Sequence, residues 1–347
     1  TALNAIDTQD IAALSKAQVA ALSSTQLNNL TSSQLRAVEA ADLQMLSSTR
    51  VSQLSSTNLN LLTTSQLQSF GADAVGALTL TNFSSDQISK LSAAQVSFLS
   101  STQLNAIGSS TTLLQAITTG SLQRVTDGTF SSLSSTLLRN LSSTQLQALT
   151  PAQIQLLTTG QFSNLSTTQI NLLTSTQALT VSTAQLTSLD SSSLRAITTS
   201  NIVAMRAGQI AALSSTQINQ LTTGQIQAIE TGDLRFLSTT QVAGLNSTQL
   251  GTLQSTQVQA LTNNQVSSLT LATLGSTQIQ KLTSGQASAI TSSQLNALAS
   301  ASTATLRAIE TEDLRAIKPN LISGLSTTVT NNLSTAQIEA LTVQQVE

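Results

Sequence analysis

Four short stretches place two carboxylates three residues apart: Asp7 and Asp10, Glu39 and Asp42, Glu230 and Asp233, and Glu310 and Asp313. On one helical turn such a pair shares a face and could offer oxygens to a hard cation such as Ca²⁺. Calcium normally takes six or more oxygens, which two carboxylates do not supply. The spacing has a simpler use. Acids at a helix N-cap and in its first turn satisfy backbone N–H groups that lack a partner, and they suit the positive end of the dipole. Arg235 and Arg315 lie two residues beyond Asp233 and Asp313 and are expected to pair with the acids. No metal ligand is assigned.

The remaining candidates for chemistry are weaker. Serine is abundant, but a nucleophilic serine needs a base, and the chain has no His. A Ser–Lys arrangement would have to use Lys16, Lys90, Lys281 or Lys318, each in an ordinary stretch of sequence. The absence of Cys excludes thiol chemistry and disulfides. Glycines in segments such as TTGQ at 158–161 and 222–225 are not followed by the lysine of a phosphate-cradling loop. They are expected instead to mark close backbone approach between packed helices. Rows of Thr can order water or bind ice, but Ser and Thr interchange freely here, which blurs any lattice. No catalytic residue, no cofactor and no enzymatic activity are expected.

The elements that position these residues are octads. In LSSTQLQALTPAQI, 141–154, Leu141 opens an octapeptide and Leu149 begins the next. With the leading apolar residue as position 1, Ser or Thr stands at position 2 in 27 of 38 complete octads, and Gln at position 5 in 24. This is the grammar of a helix start. A Ser or Thr N-cap accepts from the N–H three residues on, and Gln there reaches back to the cap's own N–H. The apolar residues at positions 1 and 6 have the spacing of a hydrophobic staple. Pro151 and Pro319 both fall at position 3, the first helical residue, where a missing N–H costs nothing.

Continuous elements fail on this spacing. In an unbroken helix the apolar stripe would drift by about 80° per octad. In a strand, positions 1 and 6 would face opposite sides. Restarting a helix of about six residues in every octad meets both objections, and such helices must be stabilised by stacking. The fold class expected is therefore all-α: a solenoid of short capped helices, one per repeat, running as a single continuous body over 1–347.

The frame runs from Ile6 with four interruptions. Units at 78–82 and 269–273 have five residues; units at 107–116 and 298–308 have ten and eleven. Three normal octads separate each short unit from the long unit after it. Leu78 to Leu269 and Ile107 to Leu298 are both 191 residues apart, as are the acidic octads VEAADLQM at Val38 and IETGDLRF at Ile229. A long period of about 191 residues thus overlies the short one. The paired deletion and insertion are expected to be designed departures from the solenoid, such as a bend, a contact or a closure point.

Composition limits function. Charged residues make up 8% and the net charge is −2, so nothing favours nucleic acid or an anionic membrane. Aromatics are six Phe, too few for base-stacking platforms. No apolar run is long enough to span a membrane. Mean hydropathy of +0.14 and the strict apolar spacing argue against disorder. No signal peptide is visible, and a start at Thr1 suggests a mature product or a fragment.

The stretch AALSSTQINQLTTGQIQAIETGDLRFLSTTQVAGL, 211–245, resembles the Ser/Thr/Gln-rich octapeptide arrays of large bacterial surface or secreted, adhesin-like proteins. The resemblance covers nearly the whole chain in a motif of low complexity. It implies an extracellular or cell-surface location and a structural or adhesive role, and transfers no functional residue. The expectation is a structural protein that self-assembles into a filament, sheath or surface layer. The alternative is the rigid stalk or binding region of an adhesin. The partner expected is a further copy of the chain, with other cell-surface components as the remaining candidates.

Overall fold

Ser142 begins a helix, as its place in the octad requires. Its hydroxyl accepts from the Gln145 N–H at 3.2 Å, and Gln145 Oε1 accepts from the Ser142 N–H at 3.1 Å. The helix is Ser143–Ala148; Leu149 then leaves helical geometry with ψ 136° and Thr150 caps the next helix, Pro151–Leu156. A computed structural model of the protein, which describes residues 2–347, repeats this pattern throughout. Helices of four to six residues follow one another at nearly every octad, and no strand occurs among the described residues. The fold is an all-α repeat solenoid. Both prolines occupy the first turn of their helices. Positions 1 and 6 form the core: Leu141 is 6% exposed and Leu146 1%.

The described residues fall into two compact units, one ending at Leu173 and one beginning at Thr174. Within each, a helix packs on the third helix along. Ser32–Ala37 packs on Ser56–Leu61 in the first unit, and Thr199–Ala204 on Thr223–Ala228 in the second. One superhelical turn therefore takes three octads.

Position 5 holds successive turns together. Gln145 is 2% exposed, and its Nε2 donates to Leu114 O at 3.0 Å and Ile117 O at 2.8 Å, 31 and 28 residues earlier. In the second unit Gln225 does the same to Leu194 O and Ile197 O at 2.8 and 2.7 Å, while its Oε1 accepts from the Thr222 N–H. One amide thus closes the capping box of its own helix and takes up the C-terminal carbonyls of the turn before. Those carbonyls are among the groups a helix end leaves without a partner. With one oxygen and two N–H groups engaged, the buried amide is satisfied.

A second ladder runs the opposite way on the exposed side. Residues at position 7 donate to a carbonyl 25 residues later: Gln123 Nε2 to Ala148 O, Arg36 Nε to Leu61 O, Arg195 Nε to Gln220 O.

Candidate functional site

The acidic octads place a carboxylate where the amide should be. Asp42, Asp233 and Asp313 stand at position 5, and Glu39, Glu230 and Glu310 at the N-cap. The capping expected of these glutamates is not seen: none makes a side-chain cap bond. Asp7 does cap, its Oδ1 accepting from the N–H groups of Gln9 and Asp10 at 2.9 Å. Pairing with the arginines is also not seen. Arg315 Nε donates instead to Ala340 O at 2.9 Å, on the position 7 ladder. The one ion pair among the described residues is Lys90 with Asp86 at 2.6 Å.

Asp42 and Asp313 are 5% and 4% exposed. Burial pushes the Asp313 carboxyl up from its ordinary value; a hydrogen bond from Ser284 Oγ, 2.9 Å from Oδ1, works against that, and Glu310 and Glu312 add to it. Asp233 is also raised, by burial first and by Glu230 second. Among the described residues no three acidic side chains converge as a metal site. Lys90 is engaged by Asp86, Lys16 opens the helix Lys16–Ala21, and Lys318 is the N-cap of Pro319–Ile322.

The irregular units have a shared geometry. Each short unit forms a three-residue 3-10 turn, Leu80–Asn82 or Leu271–Thr273, in place of an α-helix. Each is overlain, one turn later, by a helix that runs past its octad: Ser101–Gly108 on the first and Ser292–Ala301 on the second. The lost and the added residues therefore lie in one column. Across the shortened turns the glutamine register contracts: Gln103 Nε2 reaches Val75 O and Leu78 O, 28 and 25 residues back, and Gln294 reaches Val266 O and Leu269 O likewise. After each overlong helix, four successive helices carry no Gln at the third helical residue. They have Leu113, Ser121, Thr129 and Leu137 in one copy, and Thr305, Asp313, Leu321 and Val329 in the other. Asparagines take over. Asn105 Oδ1 accepts from the Ser134 N–H and Asn140 Nδ2 donates to Gly108 O; Asn296 and Asn332 do the same for Ser326 and Ala299.

Glycine proves to matter at a different place from the one expected. At position 4, a Cβ on Gly120, Gly128, Gly160, Gly208 or Gly232 would meet nothing within 4 Å, and one on Gly224 would make only ordinary contact with Thr199 at 3.8 Å. The tightest approach between helices is at Gly108, where a Cβ would lie 2.7 Å from that of Leu137; at Gly244 it would lie 3.1 Å from that of Ser215.

An open depression of about 540 Å³ borders the long unit of the first copy, lined by Ser85, Asp86, Ser89, Thr111, Thr112 and Gln115. Comparable grooves of about 460 Å³ beside Gln44 and Asp73, and about 390 Å³ beside Arg195 and Asn246, recur elsewhere. Their linings carry no aromatic ring. They are the spaces between stacked short helices, found in regular and irregular turns alike. No helix among the described residues is long and apolar enough to cross a membrane.

These features define a repeat protein of the helical solenoid class. A family model described as ALTTAQ repeat matches residues 3–40, 187–223, 226–263 and 306–343, so the chain is similar to that repeat over four regions and is a repeat array. Both 3-10 turns and both overlong helices lie outside the matched stretches. No curated protein matches the chain.

Proposed function

We propose that the chain is an extracellular structural protein whose copies associate side by side into a filament, sheath or surface layer. The observation that carries this reading is the surface left once the glutamines turn inward. Ser143, Thr144 and Gln147, at positions 3, 4 and 7, are exposed, while Gln145 is buried. The outer face is then an array of hydroxyl and amide groups at a fixed step, with few charges to keep copies apart. Two such faces can match over a long register, so weak contacts add as in multivalent binding. Few ion pairs can take part, so association should depend little on salt. Sedimentation and negative-stain microscopy at micromolar protein, in low and high salt, test this: assemblies in both are expected. A stable monomer in both would refute it and favour the rigid stalk or binding region of an adhesin, for which the depression beside the unit at 107–116 is the available surface.

A further inference from the structure

Position 5 gives a lattice of equivalent sites in which one member can be judged against the others. Gln145, Gln225 and Gln337 each donate from Nε2 to carbonyls of the preceding turn. A shorter amide also serves: Asn58 Nδ2 reaches Leu27 O at 2.8 Å. At Asp313 the same place is occupied by a side chain that, ionised, has no hydrogen to give. It is 4% exposed. Ser284 Oγ, from the helix of the turn below, supplies Oδ1 with a donor at 2.9 Å, while Oδ2 is buried with no hydrogen-bond partner. A buried carboxylate oxygen left so is costly.

The surroundings offer no compensating charge. The helix Thr311–Ala316 packs on Ser284–Ala287, which has no titratable residue, and on Thr335–Ala340, which contributes Glu339. Its own cap and first turn add Glu310 and Glu312. Arg315 on the same helix is turned to Ala340 O and Arg307 Nε donates to Asn332 O. The nearby acids disfavour a second negative charge, and among the described residues no ion pair reaches Asp313.

We propose that Asp313 is an acid-closed joint: ionised, it leaves the turn of residues 309–316 loosely held to the turn below, and protonated, it tightens that contact. The proton goes onto the unpartnered oxygen, removing the buried charge and making the carboxyl a donor, as the amides of the other octads are. Burial and the two glutamates raise this carboxyl, so the folded chain takes up the proton at a higher pH than the unfolded chain does. The contribution to stability therefore grows as pH falls through the raised value and is complete below the ordinary one of 3.8. This is opposite in sign to the usual paired carboxylate.

The test compares the full chain with Asp313→Asn, which is permanently uncharged and has a donor of the length that works at Asn58. Amide hydrogen exchange of residues 311–317, followed by mass spectrometry from neutral pH to below the ordinary value of 3.8 and corrected for intrinsic rates, reads the joint. The wild-type segment is expected to become more protected relative to Asp313→Asn as pH falls, and the gap between the two to close. A gap that stays constant with pH, or that widens on acidification, would overturn the proposal. If Asp313→Asn fails to fold, the carboxyl ¹³C shift of Asp313 in the wild-type chain decides. Titration above 3.8 supports the joint, and titration at or below it refutes it.

Discussion

Gln145 can separate the two tasks of its amide. Gln145→Glu keeps an oxygen for the Ser142 N–H, so the capping box survives, but it removes both donors to Leu114 O and Ile117 O. Leu114 O keeps the Ile117 N–H at 3.1 Å, so Ile117 O is the carbonyl left most exposed to loss. Two hydrogen bonds at about 1 kcal/mol each are lost, and a buried carbonyl without a donor adds about 1–3 kcal/mol. A charge is also placed at a site 2% exposed, where an uncompensated ion costs about 3–5 kcal/mol. These terms overlap, and about 3–5 kcal/mol in total is the expectation at neutral pH. Ser142→Ala removes a cap alone and should cost about 1 kcal/mol. A solenoid need not unfold in one step, so local amide exchange is the better assay than a global melt. With about 1.4 kcal/mol per factor of ten, exchange of residues 142–149 should accelerate by about two to three and a half decades in Gln145→Glu and by about fivefold in Ser142→Ala. Lowering the pH should recover part of the loss, because a protonated Glu can donate again. If Gln145→Glu exchanges no faster than Ser142→Ala at neutral pH, the turn-to-turn bonds contribute nothing beyond the cap.

Gly108→Ala should cost about 1–3 kcal/mol by overpacking against Leu137. The two nearest atoms, Leu137 Cβ and Cα at 2.7 and 3.2 Å, remain in Leu137→Val, so that second substitution should recover little; a double-mutant cycle by chemical unfolding measures it. Asp190 caps Ser191–Ala196, and the Ser193 N–H at 2.7 Å holds its carboxyl below the ordinary value of 3.8. Its contribution is therefore present above 3.8 and lost as pH falls through the lowered value. The stability gap between wild type and Asp190→Asn should hold at higher pH and change only in that low range, where the carboxylate's contribution is lost; a gap that stays flat down to the acid limit would contradict the cap.

The helices were legible because a capping box is local. Ser142 and Gln145 are three residues apart, and the octad shows both. The bonds from Gln145 to Leu114 and Ile117 span 31 and 28 residues, and a short motif cannot display a partner three octads away. A signal was nonetheless present. A capping box accepts Glu as readily as Gln, yet position 5 has Gln in 24 of 38 octads and Glu in none. A cap alone does not explain that exclusion; a side chain that must also donate does. The number of octads per turn was likewise written in the irregular units. Three octads lie between Leu78 and the long unit that balances it, because the compensating helix Ser101–Gly108 has to sit on the column that lost residues.

The same reasoning accounts for what sequence reading misjudged. Glu39 and Asp42, read as an octad, look like a helix N-terminus supplied with two acids. Seen in the lattice, Asp42 is 5% exposed, at the position from which Gln66 and Gln34 send N–H groups to carbonyls. An acid there is a substitution of acceptor for donor at a site built to donate. The bonds it removes run between turns and lie outside the octad, which is why helix-start rules could not register it. Asp42 and Asp233 recur 191 residues apart, so the exchange of donor for acceptor returns with the long period, as the short and overlong units do. The short repeat builds a uniform stack, and the long repeat sets where that stack departs from uniformity.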